Sequence, residues 1–262
     1  PRGGLRALHY VILTRLAGSP KASTYPIRRP RAAAESYPMY ALIVAGGEGQ
    51  RLRPYTENRP KGMVEVNGKP LLEYQLTWLR ANGISDVIIL CGYKAEVIQE
   101  HFQDGAALGL RIQYSLEERP LGRGGAFKQG FKLVPPTEQT IFGCNGDNIN
   151  EQSIGDMVAF HRQNHALATV MLTALRSPYG IATLEESGRI TGFEEKPLLP
   201  HWLNAGAYIF DRAALEQFPD KGDHEDTTFP ALAEQGRLFG FKSTAYWRTV
   251  STAVSYTHLT LP

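Results

Sequence analysis

The sequence predicts an α/β protein: a Rossmann-like three-layer fold with a mixed, mostly parallel central sheet. Three observations predict it. From Met39 onward, short strand candidates alternate with helical stretches. Most of those strands are near-continuous apolar runs, the pattern of strands covered on both faces. A glycine-rich loop also follows directly on the first strand, where open α/β sheets hold their ligands.

The elements follow in order. Tyr40–Ala45, Asp86–Cys91, Arg111–Tyr114 and Thr140–Cys144 are short strands rich in β-branched or aliphatic residues. Pro70–Asn82 reads as a helix, with Pro in its first turn, Leu72, Leu76 and Leu79 at helical spacing, and Gly83 as its stop. Lys94–Gln103 sets Val97, Ile98, His101 and Phe102 on one face, and Gly124–Leu133 and Ser153–Asn164 are the later helices. After Ala166 the character changes. Leu167–Leu175, Gly180–Leu184, Arg189–Glu195 and Ala205–Phe210 are strand-like, with turns at Ser177-Pro178 and Glu186-Ser187-Gly188. This half predicts a mixed extension of the sheet that walls a site.

Length and composition narrow the function classes. At 262 residues, 42% hydrophobic and 21% charged, the chain suits one large or two small domains with a substantial core. No stretch approaches the roughly 20 apolar residues of a membrane span. Two cysteines, Cys91 and Cys144, rule out a disulfide scaffold and a four-cysteine zinc site; both lie in apolar runs and read as reduced core residues. Seven Lys/Arg and one acid fall in residues 1–38, so the net +2 of the whole chain becomes −4 over residues 39–262. A mildly acidic body argues against a general nucleic-acid binder, so any phosphate must be held by a local site.

The ends differ from the middle. Residues 1–38 are rich in Arg, Pro and Ala without hydrophobic period, and read as a non-native or disordered leader before Met39. Val254 to Pro262 reads as translated adapter sequence. The expected division is therefore a leader (1–38), a catalytic domain (39–252) cut at its C-terminal side, and an adapter-derived tail (253–262).

The glycine loop runs Gly46-Gly47-Glu48-Gly49-Gln50-Arg51-Leu52-Arg53-Pro54, with Pro60-Lys61 shortly after. Closely spaced glycines let backbone N–H groups approach phosphate oxygens, and Arg51 and Lys61 would add fixed positive charge. The dinucleotide fingerprint fails because Leu52 stands where its third glycine belongs. The P-loop pattern fails too, since no Gly-Lys-Ser/Thr occurs here. From composition alone, a plain Gly-rich turn with two solvated bases stays open.

The full string is more specific. Ala45 to Thr56, followed by Arg59-Pro60-Lys61-Gly62-Met63-Val64-Glu65-Val66-Asn67-Gly68-Lys69-Pro70, resembles the N-terminal motif of the sugar-1-phosphate nucleotidylyltransferases, the NDP-sugar pyrophosphorylases. The resemblance spans Met39 to Val250 and is nearest to the mannose-1-phosphate guanylyltransferase branch. It implies the nucleotidyltransferase version of the three-layer fold, and transfer of a nucleotidyl group from an NTP to a sugar 1-phosphate with release of pyrophosphate. GTP and mannose 1-phosphate are the best match. Thymidylyl-, cytidylyl- or heptose-specific relatives, or a catalytically weak nucleotide-sugar-binding regulator, are the alternatives.

The resemblance also implies residue roles. Arg51 and Lys61 would be catalytic. Ala45, Gly46, Gly47, Gly49, Gly122, Asn145 and Gly146 would receive the nucleotide, with Gly122 in the base-receiving loop Glu117 to Ala126. Asp147, at the carboxyl end of a strand, would be a ligand of Mg²⁺. Tyr179, Gly180, Glu195, Lys196 and Asn204 would hold the sugar phosphate. Arg123 stands at a position usually small or neutral in the family, and reads as either a phosphate contact or a solvated base. His101, His161 and His224 lack metal-ligand spacing and read as structural. One departure stands out: the family's second Mg²⁺-binding Asp is expected near the end of the domain, where this chain has Thr249 or Ser251, and a neutral hydroxyl binds Mg²⁺ more weakly than a carboxylate. The implied partners are an NTP and a sugar 1-phosphate, with no nucleic acid and no membrane. A homo-oligomer is compatible with the sequence, and the expected location is cytoplasmic.

Overall fold

The computed structural model describes residues 39–250; the expected leader, the expected tail and Ser251 lie outside the described residues. Seven strands form the central sheet: β1 (Tyr40–Val44), β4 (Asp86–Cys91), β5 (Arg111–Leu116), β6 (Thr140–Asn145), β8 (Ala168–Arg176), β11 (Leu198–Asp211) and β12 (Leu238–Lys242). Their order is β12-β8-β11-β6-β1-β4-β5. β1 pairs parallel with both β4 and β6, β4 with β5, and β12 with β8; β11 alone runs antiparallel, to β6 and to β8. The sheet is mixed and mostly parallel, as the sequence predicts.

Side-chain alternation divides the core between the two faces. Ala41 and Ile43 of β1, Val87, Ile89 and Cys91 of β4, and Phe142 and Cys144 of β6 point to one side. There they meet α1 (Leu71–Ala81), α2 (Ala95–Phe102) and α4 (Ile154–Gln163), through Leu72, Leu76, Leu79, Ile98, Met157 and Val158. Leu42, Ile88, Leu90, Ile141, Tyr208 and Phe210 point to the other side. They meet α3 (Gly122–Phe131), α5 (Arg212–Glu216) and α6 (Thr228–Glu234), through Phe127, Phe131, Leu215, Phe229 and Leu232. Each such fully buried aliphatic or aromatic side chain contributes about 1.5–3 kcal/mol over its exposed state. Helices on both faces of one sheet make three layers.

Local chemistry sets the helix ends. Ser153 caps α4 by accepting a hydrogen bond from the Asp156 N–H at 3.2 Å, and Asp156 places negative charge in the first turn. Asn82 ends α1: its amide donates to the Trp78 carbonyl at 2.9 Å, and its side-chain oxygen accepts from the Ile154 N–H at 2.9 Å. One residue therefore closes one helix and opens another. The sequence places α3 at Gly124; it begins at Gly122, because that turn packs against residues 220–224, more than ninety residues away in sequence.

Three two-stranded pairs flank the main sheet. β2 (Glu65–Val66) and β3 (Lys69–Pro70) form a hairpin. β9 (Ile181–Leu184) and β10 (Ile190–Glu194) form a separate two-stranded ribbon in place of the predicted sheet extension, whereas β8 and β11 do join the main sheet. β7 (Asn148–Asn150) pairs antiparallel with β13 (Trp247–Thr249).

His161 and His224 are buried. His161 lies between the Thr169 hydroxyl, 2.9 Å from Nδ1, and Asp211, 3.2 Å from Nε2. His224 stacks on Phe218 at 4.8 Å, with Phe127, Tyr208 and Phe229 edge-on around it. Burial, and then the Arg123 charge, lower its pKa to about 3. Its Nδ1 lies 3.1 Å from Glu225 Oε2 without hydrogen-bond alignment. The ring is neutral at neutral pH, so this is a contact and not an ion pair.

Because the folded ring resists protonation while the unfolded ring titrates near 6.5, the unfolded chain binds more protons between about pH 6.5 and pH 3. His224 thus contributes stability above pH 6.5 that is lost as pH falls, with a slope approaching about 1.4 kcal/mol per pH unit. Urea unfolding at pH 7 and pH 5 should show a smaller difference for His224→Phe than for the parent. An equal difference would mean the ring carries charge in the fold.

Candidate functional site

β1 enters the sheet between β4 and β6, so its carboxyl end emerges beside theirs. Backbone hydrogen bonds then splay the following loop across those ends: Ala45 N–H donates to Leu90 at 2.8 Å, Tyr93 N–H to Gly46 at 3.1 Å, and Gly146 N–H to Val44 at 2.9 Å. A cleft of about 210 Å³ opens there, lined by Val44, Ala45, Gly47, Lys61, Gly62, Arg123, Asn145, Gly146 and Asp147. A larger hollow of about 370 Å³ near Arg59 and His101 contains none of the residues singled out for chemistry, apart from His101 itself, which reads as structural.

Six of the sequence-predicted residues converge in the cleft: Ala45, Gly47, Lys61, Asn145, Gly146 and Asp147. Lys61 Nζ donates to the Asp147 carboxylate, and both side chains are mostly buried. Gly46 packs its backbone against Gly92. Gly49 adopts a left-handed conformation (φ 66°), and its carbonyl accepts from the Thr56 hydroxyl at 2.9 Å, which closes the loop on itself. Arg51 stands exposed on the short 3-10 turn Gln50–Leu52, with no ion-pair partner among the described residues.

The loop expected to receive the base is built around a carboxylate. Glu117 Oε2 accepts from the Leu121 N–H at 2.9 Å, and burial raises the Glu117 pKa against the lowering effect of that bond. Gly122 follows at φ 76°, where a Cβ would sit 2.7 Å from the Gly222 carbonyl oxygen. Only glycine fits.

The expected sugar-phosphate residues sit elsewhere. Tyr179 and Gly180 precede β9, and Glu195 and Lys196 follow β10. Tyr179, Glu195 and Lys196 are exposed, and Lys196 takes a left-handed backbone (φ 50°). The Phe193 ring and the Glu195 carboxylate lie against Gly180, so a side chain there would collide with both. Asn204 lies on β11 just before an irregularity in its pairing with β8; its amide nitrogen donates to the Tyr208 hydroxyl at 3.0 Å.

Arg123, which the sequence reading offered as a phosphate contact or a solvated base, lines the cleft and carries two carboxylate partners. Its guanidinium is held by Asp223 at 2.7 Å and Glu225 at 2.9 Å, and its backbone N–H donates to Asp223 at 2.7 Å. Sequence reasoning missed Asp223, Glu225 and Tyr208. The acidic run Asp223 to Asp226 after Gly222 was the available signal, but nothing local ties it to residue 123.

The residues around Asp147 suit a phosphate-borne Mg²⁺. Mg²⁺ is usually held by one or two carboxylates plus substrate phosphates, and not by an all-protein cage. Asp147 supplies one carboxylate, and Asn145 Oδ1 is buried nearby without a hydrogen-bond partner. Among the described residues no group of three or more His, Cys, Asp or Glu could hold a metal by itself. Thr249 pairs with Asn148, and the Val250 N–H donates to the Asp147 carbonyl at 3.0 Å. Thr249, one of the two positions where a second carboxylate is expected, therefore runs alongside the 147–148 backbone and carries a hydroxyl; the other, Ser251, lies outside the described residues.

A three-layer α/β sheet whose strand ends gather a glycine loop, a lysine and an aspartate has these residues where open α/β sheets hold their ligands. The nucleotidyl transferase family model matches residues 40–261, and the chain belongs to that family. A mannose-1-phosphate guanylyltransferase from Mycobacterium tuberculosis is 35% identical over 220 residues, covering 81% of this chain and 61% of that protein. The chain thus spans about three-fifths of the length of the curated relatives it matches. Among solved structures, a Bacillus anthracis protein assigned as a glucose-1-phosphate thymidylyltransferase superposes with a TM-score of 0.70 at 22% identity, covering 85% of this chain and 94% of that one. HddC from Yersinia pseudotuberculosis gives 0.66 at 25%, covering 83% and 96%. The fold is that of the nucleotidyltransferases. Among the described residues no helix is long and apolar enough to cross a membrane.

Gly122→Ala should lower the thermal midpoint by several degrees, since strain and overpacking of this kind cost about 1–3 kcal/mol. A melting curve that superposes on the parent would mean Gly122 and Gly222 do not meet.

Proposed function

We propose that this protein transfers a nucleotidyl group from an NTP, best matched by GTP, to a sugar 1-phosphate, best matched by mannose 1-phosphate, yielding an NDP-sugar and pyrophosphate. The observation that carries the reading is the cleft itself, where Lys61 and Asp147 meet beside the glycine loop and Asn145. The guanylyltransferase relatives support the choice of base and sugar.

Two polyanions must meet, and their repulsion is the main barrier. One oxygen of the sugar phosphate attacks the α-phosphorus, a new P–O bond forms, and the bond to the β-phosphate oxygen breaks with its electron pair leaving on pyrophosphate. The attacking phosphate, with a second pKa of about 6, is already ionised near neutral pH, so no general base is required. The absence of a His or Cys from the cleft is consistent with such chemistry. Catalysis is then alignment and charge neutralisation.

In this reading, backbone N–H groups of Gly46, Gly47 and Gly49 cradle phosphates, and Arg51 and Lys61 counter the charge on the α-phosphate and the departing pyrophosphate. The Gly122 turn leaves room for the base. Lys196 grips the sugar phosphate, with Tyr179, Gly180, Glu195 and Asn204 around the sugar. Asp147 would hold Mg²⁺, which when bound supplies further neutralisation of phosphate charge. For that, Lys61 must exchange the carboxylate for a phosphate oxygen. The requirement for an NTP and the two buried, unpaired cysteines support a cytoplasmic setting.

One observation favours a second reading. The strand beside Asn148 carries Thr249 where, at this position or at Ser251, a second carboxylate is expected, and a hydroxyl holds Mg²⁺ more weakly than a carboxylate, which suits a nucleotide-sugar-binding regulator. A coupled pyrophosphate-release assay with five NTPs and several hexose and heptose 1-phosphates separates the two. Product binding without turnover supports the regulator.

Arg51→Ala and Lys61→Ala should each lower turnover by roughly 10²–10³, the loss seen when one preorganised charge is removed. Full turnover in Arg51→Ala would remove Arg51 from the mechanism. Lys196→Ala should raise KM for the sugar phosphate well beyond any change in KM for the NTP; equal changes would contradict its assignment.

A further inference from the structure

Arg123 and Asn204 lie on different elements, yet a directed chain of hydrogen bonds joins them. The Gly206 N–H donates to Asn204 Oδ1 at 2.9 Å, which fixes the amide orientation. Asn204 Nδ2 must then donate to the Tyr208 hydroxyl oxygen at 3.0 Å, so the Tyr208 proton faces Glu225 Oε1 at 3.4 Å. That last link is strongest with Glu225 as an ionised acceptor. Burial opposes its charge and raises its pKa, and the Arg123 guanidinium at 2.9 Å works against that rise and fixes the carboxylate in place. Asp223, on the other side of Arg123, holds the guanidinium in place.

The outcome is unusual for an exposed amide. Asn204 is exposed, yet its oxygen and one N–H are both committed, so its second N–H points in a set direction. Tyr208, which transmits the constraint, is fully buried.

We infer that Arg123 is a positioning residue for the sugar side: by holding the Glu225 carboxyl in its ion pair, it locks Tyr208 and so aims the free N–H of Asn204 at a sugar hydroxyl. This rests on the reading above that Asn204 faces the sugar phosphate. It assigns to a residue in the wall of the nucleotide cleft an effect on the other substrate.

Steady-state kinetics with each substrate varied in turn tests it. Tyr208→Phe removes one oxygen from a buried ring, and Arg123→Ala removes the cation. Each should raise KM for the sugar 1-phosphate by roughly three- to tenfold, the value of one hydrogen bond, and Tyr208→Phe, whose ring does not line the cleft, should leave KM for the NTP within about twofold. The double variant should be no worse than the more damaging single one, because both break the same chain. Arg123→Lys, which keeps a cation near Glu225, should recover part of the loss. Should Arg123→Ala not fold, Arg123→Gln serves for the same comparison. Additive losses, an unchanged sugar KM in Tyr208→Phe, or a rise confined to the NTP in Arg123→Ala would overturn the inference while leaving the reaction intact. Absence of pyrophosphate release by the parent with every substrate pair would sink the reaction itself.

Discussion

The contact between Lys61 and Asp147 is the constraint on which the site depends. The two residues are 86 positions apart, and neither loop reaches the other without the central sheet. In the free protein each neutralises the other, so two mostly buried charges are kept without the large penalty of an unpaired one. The same pair stores the chemistry of the site. In the proposed reaction an incoming phosphate would compete for the lysine and a cation for the aspartate, so each would favour the other's arrival by parting the pair.

That geometry is a consequence of strand order. β1 lies between β4 and β6, and its parallel partners deliver their following loops to one edge of the sheet. Backbone bonds from Ala45, Tyr93 and Gly146 knit the three loops together, so the glycine loop is held by main chain and leaves its side chains for ligands. The Gly122–Gly222 contact plays the matching role on the other wall, because it brings the Asp223–Glu225 carboxylates to the start of α3.

The two halves of the site differ in rigidity. The cleft residues sit on a sheet with buried side chains on both faces, whereas Glu195 and Lys196 leave a two-stranded ribbon whose Leu184, Ile190 and Phe193 are exposed. An isolated two-stranded ribbon is marginally stable, which puts this wall at the low-stability end of the molecule. With the nucleotide on the firm side and the sugar on the compliant one, as proposed, this division would suit a reaction whose second substrate must be brought in line with the first.

The sequence by itself determined the layered class, the first four sheet strands, the four long helices and the strand-like stretches that become β8, β9, β10 and the second half of β11. Their signals are local: apolar runs, helical spacing and the stop at Gly83. It also determined the glycine loop and the aspartate after β6, because a backbone that must approach a ligand is written in consecutive residues. Tertiary structure decided the rest. The short helices Arg212–Glu216 and Thr228–Glu234 and the strands Leu238–Lys242 and Trp247–Thr249 are too brief to carry a period of their own, and they form because the sheet offers them a surface or an edge. The partners of Arg123 could not be read either. A charged side chain chooses among carboxylates by distance and burial, and those are set only when chain segments a hundred residues apart are packed together.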